Sequence, residues 1–261
     1  MRIALLAIAL GACSSFRVVE PAADEDGGVD ASTPPSASGR FCEREPRPAL
    51  CADFEGDATG AWSNGPRTTE AAGGSIVAEA GSRFEGAFGL HARLPANNPG
   101  KNLNELFHEY QVSAAADAFL EARVRIRKPA RRWTKGIVAF LEVHYTDPRD
   151  ALVQAQITPG PDEEQVRVQL FARGNGGKTD GAVLVPVETW LEVRVEARLI
   201  GSGDGLGLVD VAGHGTARVS VAKTAGSGDA VTWSRVGFSQ FENETDAELE
   251  IDYDNVVGGA L

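Results

Sequence analysis

The chain of 261 residues lacks most of the short motifs that identify metal, nucleotide or nucleophile chemistry. It has no C-x-x-C pair, and its four histidines show no spacing typical of metal ligands. No G-x-S-x-G predicts a nucleophile elbow. The GNGGKT segment at 174–179 lacks the first glycine of a phosphate loop, and the H-E-x-x-H pattern begun by His108 is broken by Val112. These absences exclude the common motif-defined hydrolases and nucleotide-binding proteins.

Positive charge and aromatic residues are also scarce. The chain has 25 Lys and Arg against 37 Asp and Glu, which gives a formal net charge of -12. Because such a chain repels phosphates and anionic headgroups, we expect no nucleic-acid partner and no electrostatic binding to membranes. Aromatic residues make up 7% of the chain. That modest share favours an ordinary solvated sheet surface over a sugar platform built from rings.

No hydrophobic run reaches the ~20 residues that a membrane span needs. The apolar run at 3–10 follows Arg2 and leads into the letters LGAC at 10–13, which predicts a secretory signal over residues 1–12. This arrangement resembles the lipobox of bacterial lipoproteins. The resemblance implies that Cys13 becomes the lipidated N-terminus, so that lipid alone attaches the protein to the cell envelope. Ser14 favours the outer membrane or cell surface over the inner membrane.

Residues 13–40 show no hydrophobic periodicity and are rich in acidic residues, Pro, Gly and Ser. Such a segment buries too little apolar surface to fold, so we expect a lipidated, disordered tether. The two remaining cysteines are Cys42 and Cys51. Since exported proteins meet an oxidising compartment, we expect these two to form a disulfide. The folded domain is then predicted over residues 41–261.

Apolar and polar residues alternate along most of that domain. In residues 121–127, Ala122, Val124 and Ile126 alternate with three arginines, and residues 137–145 and 191–199 behave alike. Gly- and Pro-containing turn signals separate these runs. One buried and one solvated face, strand after strand, predicts an all-β antiparallel β-sandwich. Residues 102–112 are the least clear segment.

Four motifs carry a family resemblance across the domain. They are CADFEG at 51–56 leading to Trp62, FEGAFGL at 84–90, TWLEVRV at 189–195 with a following hairpin, and IDYDNVV at 251–257. Their order and spacing resemble concanavalin A-like and laminin G-like jelly rolls. The resemblance implies a jelly-roll sandwich, a fold that carries lectins, glycosidases, lyases and adhesion modules alike.

The predicted strands between residues 121 and 171 share a polar face. Planar hydrogen-bonding groups beside aromatic rings suit a sugar chain, and the alternative is an ordinary solvated sheet surface. The candidate ligand-binding residues are Arg125, Glu142, His144, Gln154, Gln156, Arg167 and Gln169.

The jelly-roll resemblance also implies a structural calcium ion between the opening and closing strands. Glu55, Asp252 and Asp254 are the matching residues, and their carboxylate oxygens are the ligands that this hard cation prefers. Plain surface carboxylates are the alternative for all three. No other cofactor is expected.

Two enzyme patterns are incomplete. Glu250, Asp252 and Asp254 resemble the catalytic strand of jelly-roll glycosidases, but the run ends in Asp and closes the chain. Residues 104–106 and 156–158 resemble the R-x-E-L and Q-I-H strands of jelly-roll polysaccharide lyases, without the arginine and the histidine.

The expected function is therefore non-catalytic binding, with a glycan or a cell-envelope polymer as partner. The alternatives are a divergent polysaccharide lyase or glycoside hydrolase, and a structural or adhesion module without a small ligand. An acid/base pair in a cleft would favour the enzyme, whereas a flat face with exposed rings would favour binding.

Overall fold

The computed structural model describes residues 41–43, 50–55, 67–68, 74–96, 106–115, 117–145, 152–173, 179–198, 205–221, 231–240 and 245–261. The predicted signal, Cys13 and the tether lie outside these residues, as do residues 104–105 of the partial lyase pattern. Among the described residues, no helix has the length and apolar character that crossing a bilayer takes.

The described residues form strands, with short 3-10 turns at Phe41–Glu43 and Ala80–Ser82. The strands are β1 (Leu50–Ala52), β2 (Arg67–Thr68), β3 (Ser75–Glu79), β4 (Gly89–Leu94), β5 (Leu106–Ala115), β6 (Asp117–Ile126), β7 (Val138–Tyr145), β8 (Leu152–Pro159), β9 (Gln165–Arg173), β10 (Thr179–Asp180), β11 (Ala182–Pro186), β12 (Trp190–Arg198), β13 (Gly205–Val211), β14 (Gly215–Val221), β15 (Val231–Gln240) and β16 (Leu249–Ala260). The ambiguous segment at 102–112 contributes to β5.

The strands assemble into two antiparallel sheets, which confirms the predicted all-β sandwich. Within the described residues, sheet I has the order β10-β14-β13-β12-β6-β16-β4-β3, with β1 also paired to β16. Sheet II has the order β11-β9-β8-β7-β15-β5-β2. Non-consecutive neighbours, such as β6 beside both β12 and β16, mean that long-range pairing builds both sheets.

Strict alternation explains how each strand contributes to the core. In β6, buried and half-buried residues alternate without interruption from Asp117 to Ile126. Its inward side chains, such as Leu120 and Val124, are fully buried between the sheets, as are Leu141 and Val143 of β7. Burying an aliphatic side chain of this size contributes about 1.5–3 kcal/mol, so these rows hold the sheets together.

The predicted disulfide joins Cys42 to Cys51 across a Cα–Cα distance of 5.6 Å. It ties the first 3-10 turn to β1. The Cys42 amide also donates to Asp53 Oδ2 at 3.2 Å, and the Glu55 amide lies 3.3 Å from Asp53 Oδ1. The bridge therefore fixes the chain just before Glu55, one of the predicted metal ligands.

Candidate functional site

Six of the seven predicted ligand-binding residues lie together on the outer surface of sheet II. We call this surface the polar face and define it by Glu142 and His144 of β7, Gln154 and Gln156 of β8, Arg167 and Gln169 of β9, and Arg235 of β15. Glu142 pairs with Gln154 on one side and with Arg235 on the other, and Gln156 pairs with Gln169. The register thus makes one continuous patch across four strands.

Arg125 is not part of this patch, so its predicted place there is wrong. It lies on β6 in the middle of sheet I, paired with Asp252 of β16 and Trp190 of β12. Its guanidinium lies 4.8 Å from the centre of the Trp190 ring. Alternation fixes which residues of a strand face outwards but not which sheet the strand joins, and the two outer surfaces point in opposite directions.

The centre of the polar face is a buried ionic cluster. His144 Nε2 and Glu142 Oε2 share a hydrogen bond of 2.7 Å, and Arg235 Nη1 lies 3.7 Å from the same oxygen. Glu142 and His144 are only 2% and 4% exposed. Removing such groups from water is costly unless they are paired, so the cluster depends on its mutual contacts.

A chain of amide contacts extends the cluster towards β9. Gln169 Nε2 donates to Gln156 Oε1 at 3.2 Å, and Gln156 Nε2 donates to Gln154 Oε1 at 3.4 Å. Gln154 Nε2 is buried and has no acceptor within the described part of the chain. A buried donor of this kind can hydrogen-bond to a ligand oxygen, since leaving it unpaired has a free-energy cost.

The depth of the polar face was not predictable from alternation. Gln154 and Gln156 are buried like Glu142 and His144, Gln169 is half-buried, and Arg167 is exposed. The exposure of these side chains therefore increases from β7 and β8 towards β9. The surface differs from the flat, wet sheet surface that the sequence suggested.

The structure changes the argument against a lyase. The Q-I-H pattern of the lyases has a histidine two residues after its glutamine, whereas this chain has Thr158 two residues after Gln156. His144 supplies an imidazole to the same face from the neighbouring strand, beside Glu142. Sequence reasoning also missed Arg235, because Thr232 and Ser234 interrupt the apolar alternation that marks the other strands.

Asp252 does not face solvent. It is fully buried among cations: Oδ1 lies 2.8 Å from His91 Nδ1, and Oδ2 lies 2.8 Å from Arg125 Nε and 2.5 Å from Arg127 Nε. Burial pushes the pKa of Asp252 upwards, but hydrogen bonds from His91, Ser82 and Arg125 and the charge of Arg127 outweigh it and lower the pKa. In return, the hydrogen bond to Asp252 raises the pKa of His91. Both oxygens of Asp252 are therefore paired with basic side chains, an arrangement that does not favour its predicted calcium role.

Asp254 lies in a different cluster with Glu55. Its Oδ2 accepts hydrogen bonds from the amides of Phe84 and Glu85 at 2.8 and 3.0 Å. Glu55 Oε1 accepts from the Ala87 and Phe88 amides at 2.6 and 3.0 Å. Both carboxylates thus accept hydrogen bonds from the backbone of the same segment, residues 84–88, which has Gly86 at its centre.

Burial, together with the nearby charge of Glu55, raises the pKa of Asp254 to about 7, even though backbone amides donate to it. The next residue, Asn255, has a buried Oδ1 without a donor in the described chain, while its Nδ2 donates to Glu85 Oε1 at 2.8 Å. The carboxylates of Glu55 and Asp254 and the side-chain carbonyl oxygen of Asn255 are oxygen ligands of the kind that calcium prefers. Among the described residues, however, no group of three His, Cys, Asp or Glu side chains is arranged to hold a metal.

Comparison with known proteins reveals likeness in fold. No protein-family model matches the chain, and no curated protein matches it in sequence. An endo-β-1,4-glucuronan lyase from the fungus Trichoderma reesei aligns with a TM-score of 0.56 at 14% identity, covering 82% of this chain and 96% of its own. A cellulose-induced protein, Cip1, aligns with a TM-score of 0.56 at 12% identity, covering 81% and 97%. At these identities the likeness shows the jelly-roll sandwich alone.

Proposed function

We propose that the polar face of sheet II binds a polysaccharide. The observation that carries this proposal is the continuous row of amide, imidazole, carboxylate and guanidinium groups across four strands, with the buried Gln154 Nε2 lacking an acceptor. Sugar hydroxyls both donate and accept, so they match such a mixture of planar groups. The more exposed end of this row, at Gln169 and Arg167, provides the side from which a chain enters. The fold of the glucuronan lyase is compatible with this use.

The test is a glycan array on the full chain, followed by calorimetry with the strongest hit. Gln154→Leu keeps the side-chain size but removes the amide, so we expect binding to weaken about tenfold, the loss of one good hydrogen bond. Ser220→Ala, on the exposed outer side of sheet I, is the matched control and should bind as the wild type does. Equal affinity of both variants, or no hit on an array of broad composition, would contradict the proposal.

A second candidate is β-elimination on a uronic-acid polymer, and the His144–Glu142 pair is the observation that favours it. His144 would remove the proton beside the carboxylate, and the electrons of that C–H bond would form a C=C bond. The C–O bond to the leaving sugar would break, and its oxygen would take up a proton from water to become a hydroxyl. Glu142, bonded to Nε2, orients the imidazole. The test is ultraviolet absorbance of the unsaturated product from glucuronan or alginate. His144→Gln should abolish it, and its persistence in that variant would exclude His144 as the base.

For the cluster of Glu55, Asp254 and Asn255 we propose a structural calcium ion. Oxygen chemistry and the unpartnered Asn255 Oδ1 support it. Calcium should raise the unfolding temperature of the wild type after treatment with chelator. Asp254→Asn should respond much less, whereas Asp252→Asn should keep the response. An equal response of all three proteins would place calcium elsewhere.

For the N-terminus we propose a lipid anchor at Cys13, followed by a tether and attachment at the outer membrane or cell surface. The signal-like letters before Cys13 support this. Cys13→Ser should move the protein from the membrane fraction to the soluble fraction of cells, with Ser15→Ala as the control for a change beside the anchor that keeps Cys13 and the disulfide. Unchanged membrane association of Cys13→Ser would rule the anchor out.

A further inference from the structure

Tyr253 crosses the core from sheet I to sheet II. It lies on β16 between Asp252 and Asp254, and its side chain points inwards and is fully buried. Its hydroxyl lies 3.2 Å from the Phe140 carbonyl oxygen and 3.1 Å from the Gly237 carbonyl oxygen. Phe140 belongs to β7 and Gly237 to β15, so one phenol contacts two neighbouring strands of the opposite sheet.

Both carbonyls lie where the ladder of sheet II is interrupted. The β15–β7 register runs through Val236 opposite Leu141 and resumes only at Ser239 opposite Ala139. The β7–β8 register also skips Phe140. Gly237 has a φ of +130°, a conformation that side-chain-bearing residues rarely adopt. In a regular ladder these carbonyl oxygens would accept hydrogen bonds from backbone amides. At this irregularity the Tyr253 hydroxyl is a donor within reach of both.

The irregularity lies next to the ionic cluster of the polar face. Phe140 comes two residues before Glu142, and Gly237 comes two residues after Arg235. A bulge bends the strand and changes the direction of the side chains next to it, so its geometry affects where Glu142 and Arg235 meet. The observed separation of 3.7 Å between Arg235 Nη1 and Glu142 Oε2 therefore depends on how β7 and β15 are held at this point.

We propose that Tyr253 is a positioning residue for the polar face: its hydroxyl holds the bulges of β7 and β15 in the register that brings Arg235, Glu142 and His144 together. The functional importance of that cluster rests on the proposed function above. The positioning itself is a statement about geometry and can be tested without any ligand.

The test compares Tyr253→Phe with Ile251→Val by NMR of labelled full-length protein. Tyr253→Phe removes only the hydroxyl. Ile251→Val removes one methyl group from the same inward face of β16, so it weakens the core but keeps the phenol that contacts the two carbonyls. We expect Tyr253→Phe to shift the His144 imidazole and Arg235 guanidinium signals, while His214, in an exposed turn, stays unchanged. Ile251→Val should leave all three in place.

Unshifted His144 and Arg235 signals in Tyr253→Phe would overturn the proposal, and so would equal shifts in Ile251→Val. If Tyr253→Phe fails to fold, a crystal structure of the wild type decides, because a phenol oxygen beyond hydrogen-bonding distance of both carbonyls would also overturn it. Glycan binding measured in the same variants separates the two proposals. A shifted His144 in a protein that binds no glycan leaves positioning intact, whereas glycan binding with no shift in Tyr253→Phe refutes positioning alone.

Discussion

Asp252 and Asp254 are two residues apart on β16, and both are buried, yet their carboxylates behave in opposite ways. Three cationic side chains surround Asp252 and lower its pKa. Backbone amides and the nearby Glu55 surround Asp254, and its pKa rises to about 7. Burial acts in the same direction on both, so the charge of the partners decides the sign. Identical residues at equivalent positions of one strand therefore need not share a role.

The largest effect is expected from Asp252→Ala. It leaves His91, Arg125 and Arg127 without their common counter-charge, and we expect a loss of about 3 kcal/mol in the free energy of unfolding at pH 7. That value lies at the low end for a broken buried ion pair because the cations are partly exposed. Denaturant unfolding measures it, with Glu248→Ala, which breaks an exposed pair with Arg93, as a control costing under about 0.5 kcal/mol.

The pH dependence of this loss has a definite sign. Because the pKa of Asp252 is lowered in the folded state, its stabilisation is present above the ordinary carboxyl pKa and disappears as the pH falls through the folded value. The difference between the wild type and Asp252→Ala should therefore shrink in acid. A difference that stays constant down to acid unfolding would contradict the ionic explanation.

Asp254→Asn should show the opposite trend. Because the pKa of Asp254 is raised, the stabilisation from its proton is present below the ordinary carboxyl pKa and is lost as the pH rises through about 7. In chelator, the stability of Asp254→Asn relative to the wild type should improve by about 1–3 kcal/mol between pH 5 and pH 8. Urea unfolding at both pH values measures this. Parallel stability profiles of the two proteins would show that Asp254 is ionised throughout.

His91→Gln is expected to have a smaller effect that depends on pH. The raised pKa of His91 means that its stabilisation is complete below its ordinary pKa and is lost as the pH rises through the folded value. We expect a cost of about 1 kcal/mol at pH 5.5 and less at pH 8.5. Thermal unfolding at the two pH values tests it. A larger cost at the higher pH would mean that the neutral ring, rather than the cation, makes the contact with Asp252.

The smallest expected effect is the difference in stability between variants of the two arginines beside Asp252. Arg125 Nε donates to Asp252 at 2.8 Å, whereas Arg127 Nε is close by distance but lacks hydrogen-bond geometry. Arg125→Gln should therefore cost about 1 kcal/mol and Arg127→Gln about half as much. Denaturant unfolding of both variants checks the order, and the reverse order would show that the charge of Arg127 outweighs the hydrogen bond of Arg125.

The polar face shows how far the candidate site could be predicted. Alternation correctly placed Glu142, His144, Gln154 and Gln156 on the outward side of their strands, because successive side chains of a strand point to opposite faces. It could not place Arg125, since β6 and β7 follow each other in the chain but belong to different sheets. It also missed the meeting of Arg235 with Glu142, which joins strands far apart in the sequence.

The sandwich and the Cys42–Cys51 bridge could be predicted from the sequence because both depend on local properties: a period of two along each strand, and two cysteines close together in the chain. Three features required the folded structure: which sheet each strand joins, how deeply the polar face is buried, and which charges surround Asp252 and Asp254. Those features arise from pairings between distant strands, such as β16 with β4 and β6. Long-range register is set by the whole fold, so no local pattern carries it.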